Sequence, residues 1–254
     1  MWTTVLSTFF GWSSSEILLN NNQRLSESDL LRIRSVVKRL QAQEPFQYII
    51  GEVEFSNLKL KIDHRALIPR PETEELIERI SALNISFETI LDLCTGSGCI
   101  ALALQQKFKT AKVQGLEWSR EALTLAQENA QLNNLPVVFE HGDIFNWQSQ
   151  EKFDLIVSNP PYIPQEEAIQ MQPNVLDYEP HMALFVSNED PLRFYKQILL
   201  IAQANLLKDG YLALEVHENF AKDTAALFNV PSFKNVQIYC DLQGKERMLI
   251  VQKA

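Results

Sequence analysis

Residues Ile90 to Gly98 read Ile-Leu-Asp-Leu-Cys-Thr-Gly-Ser-Gly and run directly into an apolar, helix-forming stretch from Cys99 to Phe108. A strand, a tight glycine turn and a helix in immediate succession make the first half of a βαβ unit, which commits the chain to a parallel sheet with helices on its faces. Gly96 and Gly98 permit positive φ and a close backbone approach, so the first N–H groups of the helix point at whatever lies over the turn. The next apolar stretch, Ala111 to Leu116, ends in Glu117. That acid falls about 20 residues beyond the glycines, where doubly wound folds place a carboxylate against a ribose diol.

The turn does not suit a dinucleotide. Cys94 stands where a dinucleotide fingerprint has its first glycine, and the third glycine is missing. S-adenosylmethionine fits better, because it has no pyrophosphate to cradle and presents an amino-acid tail, a ribose and a sulfonium. Asp143, in Glu140-His141-Gly142-Asp143 beyond the apolar run Pro136 to Phe139, sits where a third strand end can reach an adenine. Asp92 can face the ligand's ammonium through water. Turn formation or helix capping is the plainer role for Asp92 and Asp143.

A second motif narrows the chemistry. The run Phe153 to Ser158 opens into Asn159-Pro160-Pro161-Tyr162. Proline has a carbonyl but no N–H, so this turn offers the Asn159 side-chain oxygen and the Pro160 carbonyl without competing main-chain donors. Two acceptors hold one NH2 group and aim the nitrogen's remaining electrons at an electrophile, while Tyr162 adds a flat face. Orientation then supplies much of the barrier reduction. Asn159, Pro160 and Tyr162 are therefore the candidate catalytic residues, and Tyr162 or Phe55 can offer an aromatic face to a sulfonium. An amide and the exocyclic amine of adenine or guanine satisfy this turn equally well. A rigid Pro-Pro loop after a buried strand, or a cofactor-binding interaction module without activity, is the non-catalytic reading.

The remaining pattern places these motifs. The spacing predicts strands near Thr89 to Leu93, to Leu116, near Val137 and over Phe153 to Val157, with helices to Phe108 and from Ser119. Further helices are expected over Pro191 to Leu207 and Glu218 to Phe228, with a strand over Tyr211 to Val216. A terminal hairpin of Val236 to Cys240 with Met248 to Val251 is expected around Gly244. Pro71 suits a first helical turn, with Glu72, Glu74 and Glu75 at its positive end and Leu76, Ile77, Ile80 and Leu83 as its buried stripe. Ahead of the sheet, Ser26 is a candidate N-cap before Leu30, Ile33, Val37 and Leu40, within a helical unit that begins at Met1. Alternation from Tyr48 to Ile62 predicts a linking hairpin with Phe55 and Leu60 inward. Domain boundaries are expected at 1–47, 48–66 and 67–254. The connection from Ile163 to Asp190 is long enough to suggest a substrate lid.

Five blocks in this order carry a family resemblance: Glu44 to Phe55, Leu67 to Glu74, Asp92 to Gly98, Ser158 to Tyr162, and Glu179-Pro-His-Met-Ala-Leu184. From about Glu44 onward the chain resembles the release factor glutamine methyltransferases of the HemK type. The resemblance implies an α/β fold with a doubly wound, Rossmann-like sheet, a reversed last strand and a small N-terminal helical domain. It also implies methyl transfer from S-adenosylmethionine to the amide nitrogen of the glutamine in the Gly-Gly-Gln loop of peptide-chain release factors. By matched position, Cys94, Thr95, Gly96, Ser97, Gly98, Glu117, Asp143, Ile144 and Asn159 would contact cofactor. Asn159, Pro160, Pro161 and Tyr162 would contact the glutamine. The chain departs from the family's pattern in Cys94 for a glycine, in Glu117 for an aspartate, and in a shorter segment before Gln47. Cys94 fits without strain only if its φ is negative.

Composition sets limits on partners. A net charge of −9 over 254 residues disfavours a broad basic surface, so no direct nucleic-acid binding is expected. No stretch is long enough to span a membrane. Cys94, Cys99 and Cys240 lack metal-ligand spacing, as do His64, His141, His181 and His217, so no metal is expected. An odd, unclustered cysteine count fits a reducing cytoplasm.

Overall fold

The structure is a computed structural model that describes residues 2–19 and 25–254. The parts of the expected helical unit that fall on Met1 and on residues 20–24 lie outside the described residues. Among those described, no helix is long and apolar enough to cross a membrane.

The N-terminal unit contains α1 (Trp2–Phe10), α2 (Ser14–Leu19), α3 (Glu27–Gln41) and α4 (Phe46–Ile50). Ser26 caps α3 in a reciprocal capping box: its hydroxyl accepts the Asp29 N–H at 3.1 Å, and the Asp29 carboxylate accepts the Ser26 N–H at 3.2 Å. The buried stripe of α3 is not centred as the spacing suggests. Leu30 is 55% exposed, while Val36 is buried against Val5 and Ile49. Among the described residues, the apolar contacts of α3 lie in its C-terminal half, at Val36 and Leu40.

The predicted hairpin starts too early. Tyr48 to Ile50 belong to α4, and the boundary expected between residues 47 and 48 cuts through that helix. Gly51, at φ 79°, ends the helix in the left-handed conformation with its N–H bonded to the Gln47 carbonyl. One helical turn shows too little of its period to be told from a strand by pattern alone. The hairpin proper is β1 (Glu52–Phe55) and β2 (Leu58–Lys61), joined through Ser56 and Asn57. Both have positive φ, 47° and 61°, as a two-residue type I′ turn requires. Phe55 and Leu60 point inward and are buried.

The larger unit follows: α5 (Pro71–Ser81), β3 (Thr89–Leu93), α6 (Cys99–Lys107), β4 (Lys112–Glu117), α7 (Arg120–Asn133), β5 (Val138–His141) and β6 (Phe153–Ser158). Then come β7 (Ile163–Pro164), α8 (Pro173–Leu176), α9 (His181–Leu184) and β8 (Phe185–Val186). The chain closes with α10 (Arg193–Asn205), β9 (Leu206–Glu215), α11 (Ala221–Leu227), β10 (Phe233–Cys240) and β11 (Glu246–Lys253). The seven-stranded sheet has the order β10-β11-β9-β6-β3-β4-β5. Its pairings are parallel except those of β11, which runs antiparallel to both β9 and β10. The α/β doubly wound sheet with a reversed last strand is therefore the fold.

Both faces of the sheet are covered, which is why its central strands read as unbroken apolar runs. From Leu155 onward the faces of β6 alternate: Leu155 and Val157 enter the core built on α5 and α6 and Ile156 the one built on α10 and α11, which Phe153 also joins because the strand is irregular between Phe153 and Leu155. β3 pairs with β4 on one side and β6 on the other, so strand order reverses between β3 and β6. A crevice opens outside the carboxyl ends of strands at such a switch point. The Ser158 hydroxyl donates to the Leu93 carbonyl at 2.7 Å and ties the two strand ends together there. The hairpin is fixed to the same region by buried Asn129, whose amide accepts the Lys61 N–H and donates to the Lys61 and Ser97 carbonyls. The connection from Ile163 to Asp190 is not structureless. A 3₁₀ turn, α8, α9 and the parallel β7–β8 pair give it internal order.

Candidate active site

The glycine turn at the end of β3 alternates between left-handed and other conformations: Cys94, Gly96 and Gly98 have φ of 60°, 57° and 81°. Cys94 therefore fails the condition under which its side chain would be free of strain. An L-residue there costs roughly 1–2 kcal/mol that glycine avoids. Burial pushes its thiol well above the ordinary range, helped by the nearby charges of Glu117 and Asp92. Gly98 is tightly packed. A Cβ at this position would lie 2.9 Å from the Phe139 ring and 3.1 Å from Ala126 Cβ, and Gly98 does not line the cavity over the turn. Cys94, Thr95, Gly96 and Ser97 do line it.

The three acids have different environments. Glu117, at the end of β4, accepts the Gly96 N–H on one carboxylate oxygen and the Ser119 N–H on the other, each at 2.8 Å. Desolvation raises its pKa, and it lines the cavity. Asp143 also lines it while holding its own turn, accepting from the Phe145 N–H at 3.0 Å and Asn146 Nδ2 at 2.7 Å. Asp143 thus lines the cavity and holds its own turn. Asp92 is fully buried beneath the turn and is not a lining residue. Its Oδ2 accepts the Thr95 hydroxyl at 2.5 Å and the Ala101 N–H at 3.2 Å, while among the described residues Oδ1 has no partner. Burial raises its pKa to about 7.

The Asn159–Tyr162 turn leaves β6 beside this cavity, whose volume is about 550 Å³. Asn159 and Pro161 line it; Pro160 and Tyr162 do not. Tyr162 instead donates its hydroxyl to Glu215 Oε1 at 2.9 Å, with its ring edge-on to His217 at 5.9 Å between centroids. Phe55 is 1% exposed in the core under α5. Neither aromatic expected to face a sulfonium is placed to do so. Asn159 Nδ2 donates to Thr73 Oγ1 at 3.3 Å, and the Thr73 hydroxyl donates to Glu215 Oε2 at 2.6 Å. Among the described residues, Asn159 Oδ1 takes no protein hydrogen bond, so the acceptor end of the amide is the one left available.

The walls come from several segments. Ile144 and Phe145 form one side; the Arg193 guanidinium lies 4.4 Å from the Phe145 ring centroid, and Phe194 packs beside it. Arg70, before α5, ion-pairs with buried Glu179 at 2.7 Å, and the same carboxylate accepts the Ile68 N–H at 3.1 Å. Arg70 thus joins the loop ahead of α5 to the connection beyond α8. Sequence reading missed Thr73, Glu215 and Trp118. Trp118 is 60% exposed on the cavity rim, a position that its place next to Glu117 could have signalled. Glu215 was visible as a lone charge closing the apolar run Tyr211 to Leu214.

A seven-stranded sheet with a reversed strand and a cavity at its switch point defines the Rossmann-like methyltransferase class. The comparisons agree: residues 71–177 match the family model described as methyltransferase small domain, and residues 3–51 match the PrmC N-terminal domain. A release factor glutamine methyltransferase of Flavobacterium psychrophilum is 38% identical over 97% of this chain and 89% of its own. One from Lactococcus lactis is 42% identical over 91% of this chain and 85% of its own. A solved methyltransferase from Pyrococcus furiosus shares the fold, with a TM-score of 0.56 at 19% identity over 90% of this chain and 98% of that one. The chain belongs to the release factor glutamine methyltransferase family.

Proposed function

We propose that this protein methylates the side-chain amide nitrogen of the glutamine in the Gly-Gly-Gln motif of peptide-chain release factors, using S-adenosylmethionine held in the cavity over the glycine turn. The observation that carries the reading is the Asn159 amide, on the cavity wall at the sheet's switch point, with its nitrogen committed to Thr73 and its oxygen free.

The residues present fit the cofactor. Each Glu117 oxygen uses one lone pair on a backbone N–H and retains capacity for a ribose hydroxyl. Residues Cys94 to Ser97, Asp143 and Ile144 would hold the rest, and the cavity volume is within the usual range for a small-molecule site. When bound, S-adenosylmethionine supplies an electrophilic methyl carbon on a sulfonium.

The chain's own work is orientation. A carboxamide nitrogen is a poor nucleophile because its lone pair is delocalised. Asn159 Oδ1, on the cavity wall, would accept one N–H and the Pro160 carbonyl, which lies beside the cavity and not on its lining, the other, so that orientation lowers the barrier without prior deprotonation. Pro161, which is buried, closes the wall behind the amide and excludes water. The two acceptors would also stabilise the acidified N–H groups as the C–N bond forms and the sulfur–methyl bond breaks, the donor leaving as its neutral thioether and one amide proton passing to solvent when the site opens. The departure of Tyr162 from the cavity makes it a support of the turn rather than a platform.

Release factors act in the cytoplasm, and we assign the protein to that compartment. An exocyclic amine of nucleic acid would satisfy the same acceptors, but a net charge of −9 offers no general attraction to phosphate. The test is incubation with methyl-labelled S-adenosylmethionine and, separately, release factors, RNA and DNA. Label is expected in the release factor and absent from a Gly-Gly-Ala version of it. Label in nucleic acid alone would overturn the substrate assignment.

A further inference from the structure

We propose that Thr73 and Glu215 are positioning residues that dictate which end of the Asn159 amide faces the substrate. This rests on the reading of Asn159 as the acceptor for a substrate NH2 group. A carboxamide is nearly symmetric in shape, so a pocket that merely fits Asn159 would tolerate either orientation. With Nδ2 turned outward, two donors would face each other and the substrate nitrogen would not be held. Something must break that symmetry.

The side chains around it do so by counting protons. An ionised Glu215 has acceptors only, and its Oε2 takes the single proton of the Thr73 hydroxyl. Thr73 Oγ1 is then left with lone pairs alone toward Asn159. It can accept from Nδ2 but has nothing to give Oδ1, so the observed orientation is the one that satisfies all three groups. The second oxygen, Oε1, takes the Tyr162 hydroxyl. One carboxylate therefore holds both ends of the Asn159–Tyr162 turn, through Thr73 at the first residue and directly at the last.

The position of Glu215 argues that this arrangement is retained for use. It is 1% exposed at the carboxyl end of β9, after four residues facing apolar surroundings, where an aliphatic side chain would avoid the desolvation of a charge. Burial raises the Glu215 pKa; the Thr73 and Tyr162 hydroxyls and Arg247, on the neighbouring strand β11, favour its ionised form, and Glu72 opposes them. Thr73 is likewise buried, in the first turn of α5. The Pro-Arg-Pro-Glu-Thr-Glu block ahead of and within α5 thus reaches the site through its threonine.

Thr73→Val keeps the shape and removes the hydroxyl; Thr73→Ser keeps the hydroxyl. Wild-type turnover on a release factor is measured first and judges the functional reading by itself. Comparison among the variants then judges the relay. Thr73→Val is expected to lower kcat about 10- to 100-fold, with KM within about threefold and cofactor affinity unchanged, and Thr73→Ser to restore kcat to within about threefold of wild type. Glu215→Gln, whose new NH2 can occupy Thr73 Oγ1, is expected to lower kcat in the same way and serves if the valine variant does not fold. Independently of turnover, the Asn159 side-chain NH2 resonances, identified by their loss in an Asn159 variant, should shift in Thr73→Val and stay in place in Thr73→Ser. A folded Thr73→Val enzyme with kcat within about twofold of wild type, or equal losses in the valine and serine variants, overturns the proposal.

Discussion

Asn159 is the residue whose loss should be most informative. Removing a preorganised polar contact that acts in the transition state typically costs about 10²–10³ in rate. Asn159→Ala is expected to lose that much in kcat while keeping cofactor affinity within a few-fold, as read by steady-state kinetics beside calorimetric titration; near-normal turnover contradicts its role. Glu117→Ala should do the opposite, weakening cofactor binding by the ~1.5–3 kcal/mol typical of hydrogen bonds to a charged group. An unchanged titration would remove the ribose assignment. At this scale the sequence revealed residue types better than directions. Glu117 ends β4, Asn159 directly follows β6 and Asp143 lies two residues past β5, so all three reach the cavity from strand ends, and strand ends are readable. Tyr162 and Gly98 do not, because side-chain direction after a Pro-Pro turn and the tightness of a helix–strand contact depend on partners far away in sequence, Glu215 and Phe139. Cys94 carries a positive φ that its side chain gives no sign of.

Elements were legible in proportion to their length. The runs of β3, α6 and β6 agree with their expected bounds to about a residue, since each shows several periods; α5 begins at Pro71 as expected but ends at Ser81, so Leu83 of its expected stripe lies beyond the helix. The one-turn helix α4 shows no full period, so its pattern reads as strand. The two-residue strands β7 and β8 pair with each other across 22 residues and carry no local pattern at all. That connection is held in part by the Arg70–Glu179 pair, beside the His217–Glu167 and Tyr178–Ala42 contacts. Arg70→Ala leaves the Glu179 carboxylate buried with only the Ile68 N–H, and the penalty for a group so deprived is about 1–3 kcal/mol. A fall of this size in unfolding free energy by urea titration is expected; no change would mean the ion pair does not secure the connection.

The whole molecule depends on burying carboxylates near its functional crevice, and this should appear in its pH dependence. Asp92 has a folded pKa of about 7, above the ~3.9 of an unfolded aspartate. The folded state therefore binds more protons than the unfolded one between those values, and the Asp92 contribution to stability falls as pH rises through that window. Asp92→Asn removes this titration, so thermal melts from pH 4 to 7 should show wild type losing stability relative to the variant; parallel curves would contradict it. The sheet topology was readable because alternating βαβ units admit few connections, and right-handed crossovers build a doubly wound sheet from them. The reach of the N-terminal unit to residue 51, and the way the hairpin is pinned to the glycine turn by Asn129, required three dimensions.

The central claim is that a proline-stiffened turn holds a glutamine amide against the methyl donor. A crystal structure of the protein with a Gly-Gly-Gln peptide and the demethylated cofactor product tests it most directly. The account predicts the glutamine nitrogen about 3 Å from both Asn159 Oδ1 and the Pro160 carbonyl oxygen, with its π-face toward the sulfur. A peptide bound with that nitrogen away from the turn, or an Asn159 amide presenting Nδ2 to it, would contradict the account.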